Sequence, residues 1–451
     1  ETGIGAVLQE RDDYTTIREL VAGGPAQSSG KLAVGDRIVG VGQGKEGPIK
    51  EVIGMRLDEV VQMIRGDKGS VVRLDILPVD AGPDGKHHVI SLVRDKISLD
   101  KQAAQKKILS VKDGDASRKI GVITLPAFYE DIEARRKGDK NYRSASRDVA
   151  KLIAELKQDK VDGVLVDLRN NGGGSLSEAI DLTGLFVGKG PVVQQRNASG
   201  EVKVESDTLS APAWKGPLGV LINRGSASAS EIFAAAIQDY GRGVVIGEPS
   251  FGKGTVQTVV NLDEVANNPK PEYGELKFTV AQFFRVDGGT TQLRGVTPDI
   301  SLPGLFDLKL VGESSFDNAL PWSQVKAAKY KSSDNIKTLL PRLQNLHDER
   351  VQKSPEFQDF LQDVATLKEQ REKKSISLNE TERRNEMAAQ EKRIKARGKV
   401  NDGIDTGMDD GLQSNERSLS ADLAIEKNRK SATDVLQNEA AAIVGDLVDL
   451  R

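Results

Sequence analysis

Along the first 96 residues apolar positions alternate or sit in short blocks between glycine turns, which predicts a small, strand-rich domain. Residues 15–21 alternate, Leu57–Ile64 places Val60, Val61 and Ile64 on one helical face, and Val71–Leu77 and His88–Val93 read as strands with a turn at 82–85 between them. Residues 97–115 are polar and alternating, a strand and a connection. The pattern then changes. Residues 119–126 form a buried-type run ended by Pro126, 144–158 has a helical inner face of Val149, Leu152, Ile153 and Leu156, and 161–168 is a second buried run. A helix over 176–185, a strand at Leu218–Ile222, an apolar helix over 232–240 and a strand over 244–246 continue the series, and strands over 255–262 and 276–286 follow. Strand and helix by turns argue for an α/β core. From Leu305 onward Lys, Glu, Gln and Arg dominate, and sparse apolar positions such as Leu339, Leu340, Leu343, Phe357, Phe360, Leu361 and Val364 mark a mostly helical, highly charged region. Residues 400–415, rich in Gly and Asp, read as a linker whose spacing does not fit a calcium loop. Residues 421–450 are helical again.

Two strand ends carry chemistry. Gly225-Ser226-Ala227-Ser228-Ala229-Ser230 joins the strand Leu218–Ile222 to the next helix, so Ser228 stands beside the unsatisfied N–H groups of a helix start. A hydroxyl there lies next to donors able to hold an oxyanion. The same residues, Ser228 through Glu231, also satisfy a capping box, and on spacing alone capping is the commoner use. Lys253 changes the balance. Gly252 and Gly254 leave it little cover and permit a tight bend, and Val244, Val245, Ile246, Phe251 and Val256 make surroundings apolar enough to bring a lysine down from ~10.4 towards a working base. Gln257 lies four residues further; on a straight strand that is ~13 Å, so contact with Lys253 requires a bend. At the second strand end, Arg169-Asn170-Asn171-Gly172-Gly173-Gly174 puts glycines directly after a buried run, where backbone N–H groups converge on an anion. The loop fits neither G-x-G-x-x-G nor the Walker pattern, which disfavours a nucleotide; a tight strand-to-helix turn is its plain reading. Phe128 and Tyr129 suit a groove wall or, more simply, the core. Asp239, eleven residues after Ser228 and three helical turns on, falls on roughly the same face.

With 451 residues the chain is long enough for two or three domains. Charged residues make up 29% and the net charge is −3, so no bulk attraction to nucleic acid or anionic membrane follows. The absence of cysteine excludes thiol nucleophiles, thiolate metal sites and disulfides. The three histidines, His87, His88 and His347, are distant from Ser228 in sequence. A Ser-His-Asp triad is poorly supplied, whereas a Ser-Lys pair needs only residues already in place. Without an H-E-x-x-H a zinc protease is not expected, nor any other metal or cofactor. No apolar run approaches the ~18 residues of a membrane span. Beginning at Glu1 and carrying no leader, the chain is expected to be a processed or excised piece of a longer protein.

These motifs resemble the C-terminal processing peptidases, and among them the tail-specific subgroup. That family carries a serine in an SASASE-like helix start, a lysine 25 residues on and a glutamine four beyond, the spacing of Ser228, Lys253 and Gln257. The resemblance implies Ser228 as nucleophile, Lys253 as general base and Gln257 as the group that holds the lysine. From the family's DLRxNxGG loop it implies an oxyanion hole made by Gly173 or Gly174, with Gly174 preferred, and the amide of Ala229; Asp239 is carried as a supporting structural residue. Gly295-Val296-Thr297-Pro298-Asp299-Ile300 matches the family's ending of the protease core, and the implied core is of the ClpP/crotonase type. Gly3-Ile4-Gly5-Ala6, Gly23-Gly24-Pro25-Ala26 and Gly35-Asp36-Arg37-Ile38, in that order, resemble a PDZ domain. Such domains take an extended peptide as an added strand and capture its carboxylate on backbone N–H groups, which implies Gly3, Ile4, Gly5 and Ala6 as peptide-binding residues. The expected architecture is a mainly β PDZ domain over 1–96, a serine protease core over 97–304, and a charged, mostly helical C-terminal extension over 305–451. The subgroup's N-terminal helical domain has no counterpart here. The expected function is a periplasmic serine endopeptidase acting on protein substrates with apolar free C-termini, with an adaptor protein as a possible further partner. Two other readings are a crotonase-type acyl-CoA enzyme, under which neither the PDZ motifs nor Lys253 has a reason, and a non-catalytic PDZ binding or chaperone-like module.

Overall fold

The computed structural model describes residues 2–97, 103–113, 116–270, 272–373, 375–396 and 418–451. The linker expected over 400–415 lies outside the described residues. The chain forms two compact units, one of residues 1–101 with 377–433 and one of residues 102–376 with 434–451.

In the first unit an antiparallel sheet runs in the order Ala6–Arg11, Tyr14–Leu20, Arg37–Gln43, Val71–Leu77, His88–Val93, with Ile49–Glu51 paired to Arg37–Gln43. The alternation read from the sequence sends Ile17, Val72, Leu74 and Ile76 inward, fully buried, where they meet Val60 and Ile64 of the helix Leu57–Ile64. Ala6–Arg11 is an edge strand. Before it, Gly5 has φ 74°, and a side chain there would stand 3.0 Å from Gly24 Cα, so the two glycine motifs pack on each other. The helix Leu419–Ser431 also belongs to this unit: Arg11 donates to Asp422 Oδ2 at 2.8 Å, and Arg18 pairs with Glu426.

The second unit is built on a six-stranded sheet in the order Ile300–Ser301, Val244–Gly247, Leu218–Ile222, Gly163–Asp167, Ala116–Thr124, Gln105–Asp113, parallel except for the last pair. Both faces are covered, which is why the central strands read as unbroken apolar runs. Val164, Val166, Val220 and Ile222 pack with the helices Ala145–Gln158, Leu176–Val187 and Ala229–Asp239. Ile120, Val122, Leu165, Leu221 and Ile246 pack with the helix Asn335–Lys353 and the C-terminal helix Val435–Leu450. That last helix lies close because its contact partners are small: a Cβ on Gly163 would come 2.7 Å from Val444. A second, antiparallel sheet has the order Val202–Asp207, Gly190–Asn197, Glu275–Phe284, Thr255–Asn261.

The region from Leu305 departs from its expected helical character. Residues 305–334 hold a single 3-10 turn at Glu313–Ser315, because Pro303, Gly304, Gly312 and Pro321 interrupt any helical run. The helix expected over 421–450 breaks into two, the second started by Asp434, whose side chain accepts the Gln437 N–H at 3.0 Å. His347 is buried with its Nδ1 2.8 Å from Glu439 Oε1, and Arg350 reaches both Glu439 (2.9 Å) and Asp446 (2.8 Å). Charges that read as a solvated face thus lock two helices together.

If the C-terminal helix is part of the core, Leu447→Ala, at a fully buried position, should cost about 2–5 kcal/mol. Denaturant unfolding followed by tryptophan fluorescence measures this, since Trp214 and Trp322 both lie in the second unit. A loss below about 0.5 kcal/mol, the size of an ordinary surface change, would mean the helix is only loosely attached.

Candidate active site

The strands Gly163–Asp167 and Leu218–Ile222 are parallel neighbours, so the loops leaving their C-terminal ends start side by side, where open α/β sheets form their crevices. Hydrogen bonds stitch these loops together. Ser226 Oγ donates to the Leu168 carbonyl at 2.8 Å, Asn170 N–H donates to Asn223 Oδ1 at 2.8 Å, and Asn223 Nδ2 returns to Asn170 Oδ1 at 3.0 Å. The Asn171 carbonyl accepts from Ala227 N–H (3.0 Å) and Ser230 Oγ (2.8 Å), while Asn171 Nδ2 reaches the Leu125 carbonyl at 2.8 Å. The stitching presses Gly173, at φ 103°, against the serine: a Cβ on it would lie 2.8 Å from Ser228 Cβ and 3.0 Å from Ala229 N. Only glycine fits there.

Ser228 is half-buried, with φ 58° and ψ −113°, outside the extended region of an ordinary N-cap residue. For a residue with a Cβ such a conformation costs about 1–3 kcal/mol and has to be held from outside. Part of what holds it is the acidic arm of the capping box: Glu231 Oε2 accepts the Ser228 N–H at 2.8 Å. The carboxylate reaches further than a cap. Oε2 also accepts the Lys253 N–H at 3.0 Å, and Oε1 accepts from Ser250 Oγ at 2.6 Å and Gly252 N–H at 2.7 Å. One oxygen therefore joins the main chain of Ser228 to that of Lys253. Glu231 is fully buried, and burial outweighs its hydrogen bonds, pushing its pKa up to about 7. The sequence marked Glu231 only as a capping partner; S-x-x-E was the signal, and the Lys253 loop folding back onto the same carboxylate left none.

That loop bends at its glycines. Gly252 has φ 94°, and a Cβ on it would lie 2.9 Å from the Leu293 main chain. Gly254 N–H donates to Gln292 Oε1 at 2.8 Å. The strand Thr255–Asn261 starts next and shifts register against Glu275–Phe284 between Val256 and Gln257. Bend and bulge together close the distance that a straight strand would keep open, and Lys253 Nζ donates to Gln257 Oε1 at 3.0 Å. The lysine pKa is lowered, first by burial and then by the Lys277 charge, while Glu313 and Glu231 pull the other way.

The remaining residues singled out by the sequence sort plainly. Ala229 opens the helix Ala229–Asp239 and is buried. Asp239 lies about 16 Å from Ser228 along the helix axis; it holds Arg285 through bonds of 3.0 and 2.6 Å and is not brought to the serine. Phe128 is fully buried in the core, and its N–H donates to the Gly173 carbonyl at 2.9 Å. Tyr129 is half-buried, its hydroxyl donating to Asp148 at 2.6 Å. In the first unit the Ile4 and Gly5 carbonyls accept from Ala26 (2.8 Å) and Val21 (2.9 Å), and Gly3 pairs with Asp95. Among the described residues no cluster of His, Cys, Asp and Glu suits a metal ion, and no helix is long and apolar enough to cross a membrane.

Comparison with known proteins agrees with this layout. The model of peptidase family S41 matches residues 119–302, that of the PDZ domain matches residues 1–77, and that of the C-terminal domain of tail specific protease matches residues 306–449. The tail-specific protease of Haemophilus influenzae is 43% identical over 380 residues, 84% of this chain and 52% of that protein. The carboxy-terminal processing protease CtpA of Bacillus subtilis is 31% identical over 302 residues, 66% of this chain and 55% of that protein. The chain thus spans about half the length of the curated relatives it matches. The solved PDZ domain of a carboxy-terminal protease from Vibrio cholerae, in complex with peptide, is 59% identical and covers 22% of this chain and 97% of that one, with a TM-score of 0.21. With a peptidase segment flanked by a PDZ domain and a tail-specific C-terminal domain, the chain belongs to the C-terminal processing peptidases of family S41.

Proposed function

We propose that this chain is a periplasmic serine endopeptidase that works through a Ser228–Lys253 dyad and selects polypeptides by a free, apolar C-terminus. The observation that carries the reading is the Glu231 oxygen shared by the main chains of Ser228 and Lys253, together with the lysine's bond to Gln257 and its lowered pKa. The compartment rests on the family resemblance alone. A crotonase-type acyl-CoA reaction gives these features no purpose.

In this reading Lys253, kept neutral by burial and aimed by Gln257, takes the Ser228 proton as Oγ bonds to the scissile carbonyl carbon. The carbonyl oxygen becomes an oxyanion, and the amides of Ala229 and Gly174 are the donors that meet it. Gly173 is the weaker choice, because its N–H is already bonded to Asn171 Oδ1 at 2.9 Å. The bridge to Phe128 uses the Gly173 carbonyl and the Ser175 N–H, so the Gly174 N–H points to the opposite side, which supports Gly174. The lysine ammonium then gives its proton to the leaving amine as the C–N bond breaks. A water deprotonated by the same lysine hydrolyses the ester and frees Ser228.

Tail selection falls to the first unit. Its edge strand Ala6–Arg11 has the helix Leu57–Ile64 nearby, the arrangement into which an extended peptide adds as a strand. The Ile4 and Gly5 carbonyls are already engaged, so amide donors are what residues 3–6 offer a terminal carboxylate. Ala6, Leu8 and Leu20, partly buried beside the core, favour an apolar last residue.

The direct test is cleavage of a peptide with a free apolar C-terminus by the full chain, Ser228→Ala and Lys253→Arg. Both variants should lose at least about 10³-fold in kcat/KM with their circular dichroism unchanged, because arginine stays charged at working pH. The amidated peptide should be cut more slowly by the unaltered chain. Near-normal cleavage by Lys253→Arg would sink the dyad, and equal rates for free and amidated peptides would reject tail selection.

The pH profile gives a second check. The neutral amine is the working form, so kcat/KM should rise with pH through the lowered lysine pKa and level off below the ~10.4 of free lysine. Lys277→Glu exchanges a repelling charge for an attracting one and should move the rising limb to higher pH. A limb that stays put would rule out Lys277 as a cause of the depression.

A further inference from the structure

We infer that Asp434, at the start of the C-terminal helix, is a positioning residue for the proposed oxyanion loop, acting through Arg169. The inference rests on the protease reading above and adds to it a part of the chain that the dyad does not use.

The geometry is a two-sided clamp. Arg169 Nη1 and Nη2 donate to Asp434 Oδ1 and Oδ2 at 3.0 and 2.6 Å. On its other edge the guanidinium donates to Asp167, with Nε 3.0 Å from Oδ1 and Nη2 2.6 Å from Oδ2. Gln437, one helical turn beyond Asp434, donates from Nε2 to the same Asp167 Oδ2 at 2.7 Å. Paired carboxylates on both edges of a planar guanidinium fix its orientation, which a single contact or a lysine would not do. The Arg169 N–H also donates to Asp167 Oδ1 at 3.1 Å, so the clamp fixes the direction in which the main chain leaves the strand Gly163–Asp167.

That exit matters because Gly173 and Gly174 hang from it. Between Arg169 and Gly173 the chain makes one left-handed step at Asn170, φ 59°, and the bonds of Asn170 and Asn171 hold the loop sideways against residues 223–230. Only the clamp holds its start to the helix on the far face of the sheet. The buried face of that helix (Ala440, Ala441, Ile443 and Leu447) anchors it in the core, so Asp434 is presented from a rigid element. Asp434 is also the first residue of the second unit after the segment 377–433, which belongs to the first. The Asp434 side chain is 38% exposed, and ion pairs this open contribute little to global stability. Its loss should therefore be felt as loop geometry rather than as unfolding.

The test uses the full chain and the variants Asp434→Ala, Asp434→Asn and Asp434→Glu, with two readouts. The first is kinetics on a peptide substrate, with KM and Tm measured alongside. Asp434→Ala and Asp434→Asn should lower kcat by about ten- to a hundredfold while KM stays within about twofold and Tm within a few degrees; Asp434→Glu should recover much of the rate. The second readout is amide hydrogen exchange at residues 169–175, which should speed up in the Ala and Asn variants while the buried turns of the helix Val435–Leu450 stay protected. An unchanged kcat with unchanged exchange at 169–175 would overturn the inference, as would a rate that falls only in step with Tm. If the unaltered chain cleaves nothing, the protease reading fails by itself, and the exchange result alone decides whether Asp434 orders the loop.

Discussion

A carboxylate sealed from solvent has to be met by donors, or its charge is not tolerated. Glu231 is such a group, and the candidate site takes its shape from the way it is satisfied. Its four donors come from Ser228, Ser250, Gly252 and Lys253, so the bonds that stabilise one buried charge also bring the proposed nucleophile and the proposed base onto a common anchor. Removing one partner from such a buried network costs about 3–5 kcal/mol. The fold therefore cannot readily keep Glu231 while letting either loop drift.

The rest of the second unit serves the same two loops. Parallel strands covered on both faces deliver Arg169–Gly174 and Asn223–Ser228 to one edge of the sheet, and the asparagine bonds between them fix their spacing. The helix after Ser228 is held at its far end by Asp239 and Arg285, so the conformation of Ser228 is imposed at one end of a helix that is also tied at the other. The C-terminal helix closes the opposite face. Its glycine and alanine positions, which read from the sequence as a generic helical tail, are what let it lie directly on Gly163 and Gly219.

Local chemistry was legible and long-range pairing was not. Leu57–Ile64, Val71–Leu77, His88–Val93 and Leu218–Ile222 stand at the bounds their periodicity and flanking turns predict. The requirement of a bend for Gln257 to reach Lys253 followed from strand geometry, and bend and bulge are both present. What escaped notice depends on partners far away in the chain. Glu231 looked like a cap because its second partner lies 22 residues on, and Arg169 gave no hint of Asp434, 265 residues away. His347 and its charged neighbours carried the composition of a solvated helix, yet three carboxylate and cation partners compensate one another in the interior. Composition does not reveal compensation of that kind.

The measurement closest to the centre of this account is the rate at which a fluorophosphonate labels Ser228 in the full chain and in Glu231→Gln. Glutamine keeps the size of the side chain but has one acceptor oxygen and turns an NH₂ group towards N–H and O–H donors. If the shared carboxylate sets the geometry of Ser228 and Lys253, labelling should slow by at least about a hundredfold in a variant whose circular dichroism still shows the folded chain. Labelling within about twofold of the unaltered rate, in a folded variant, would contradict the account.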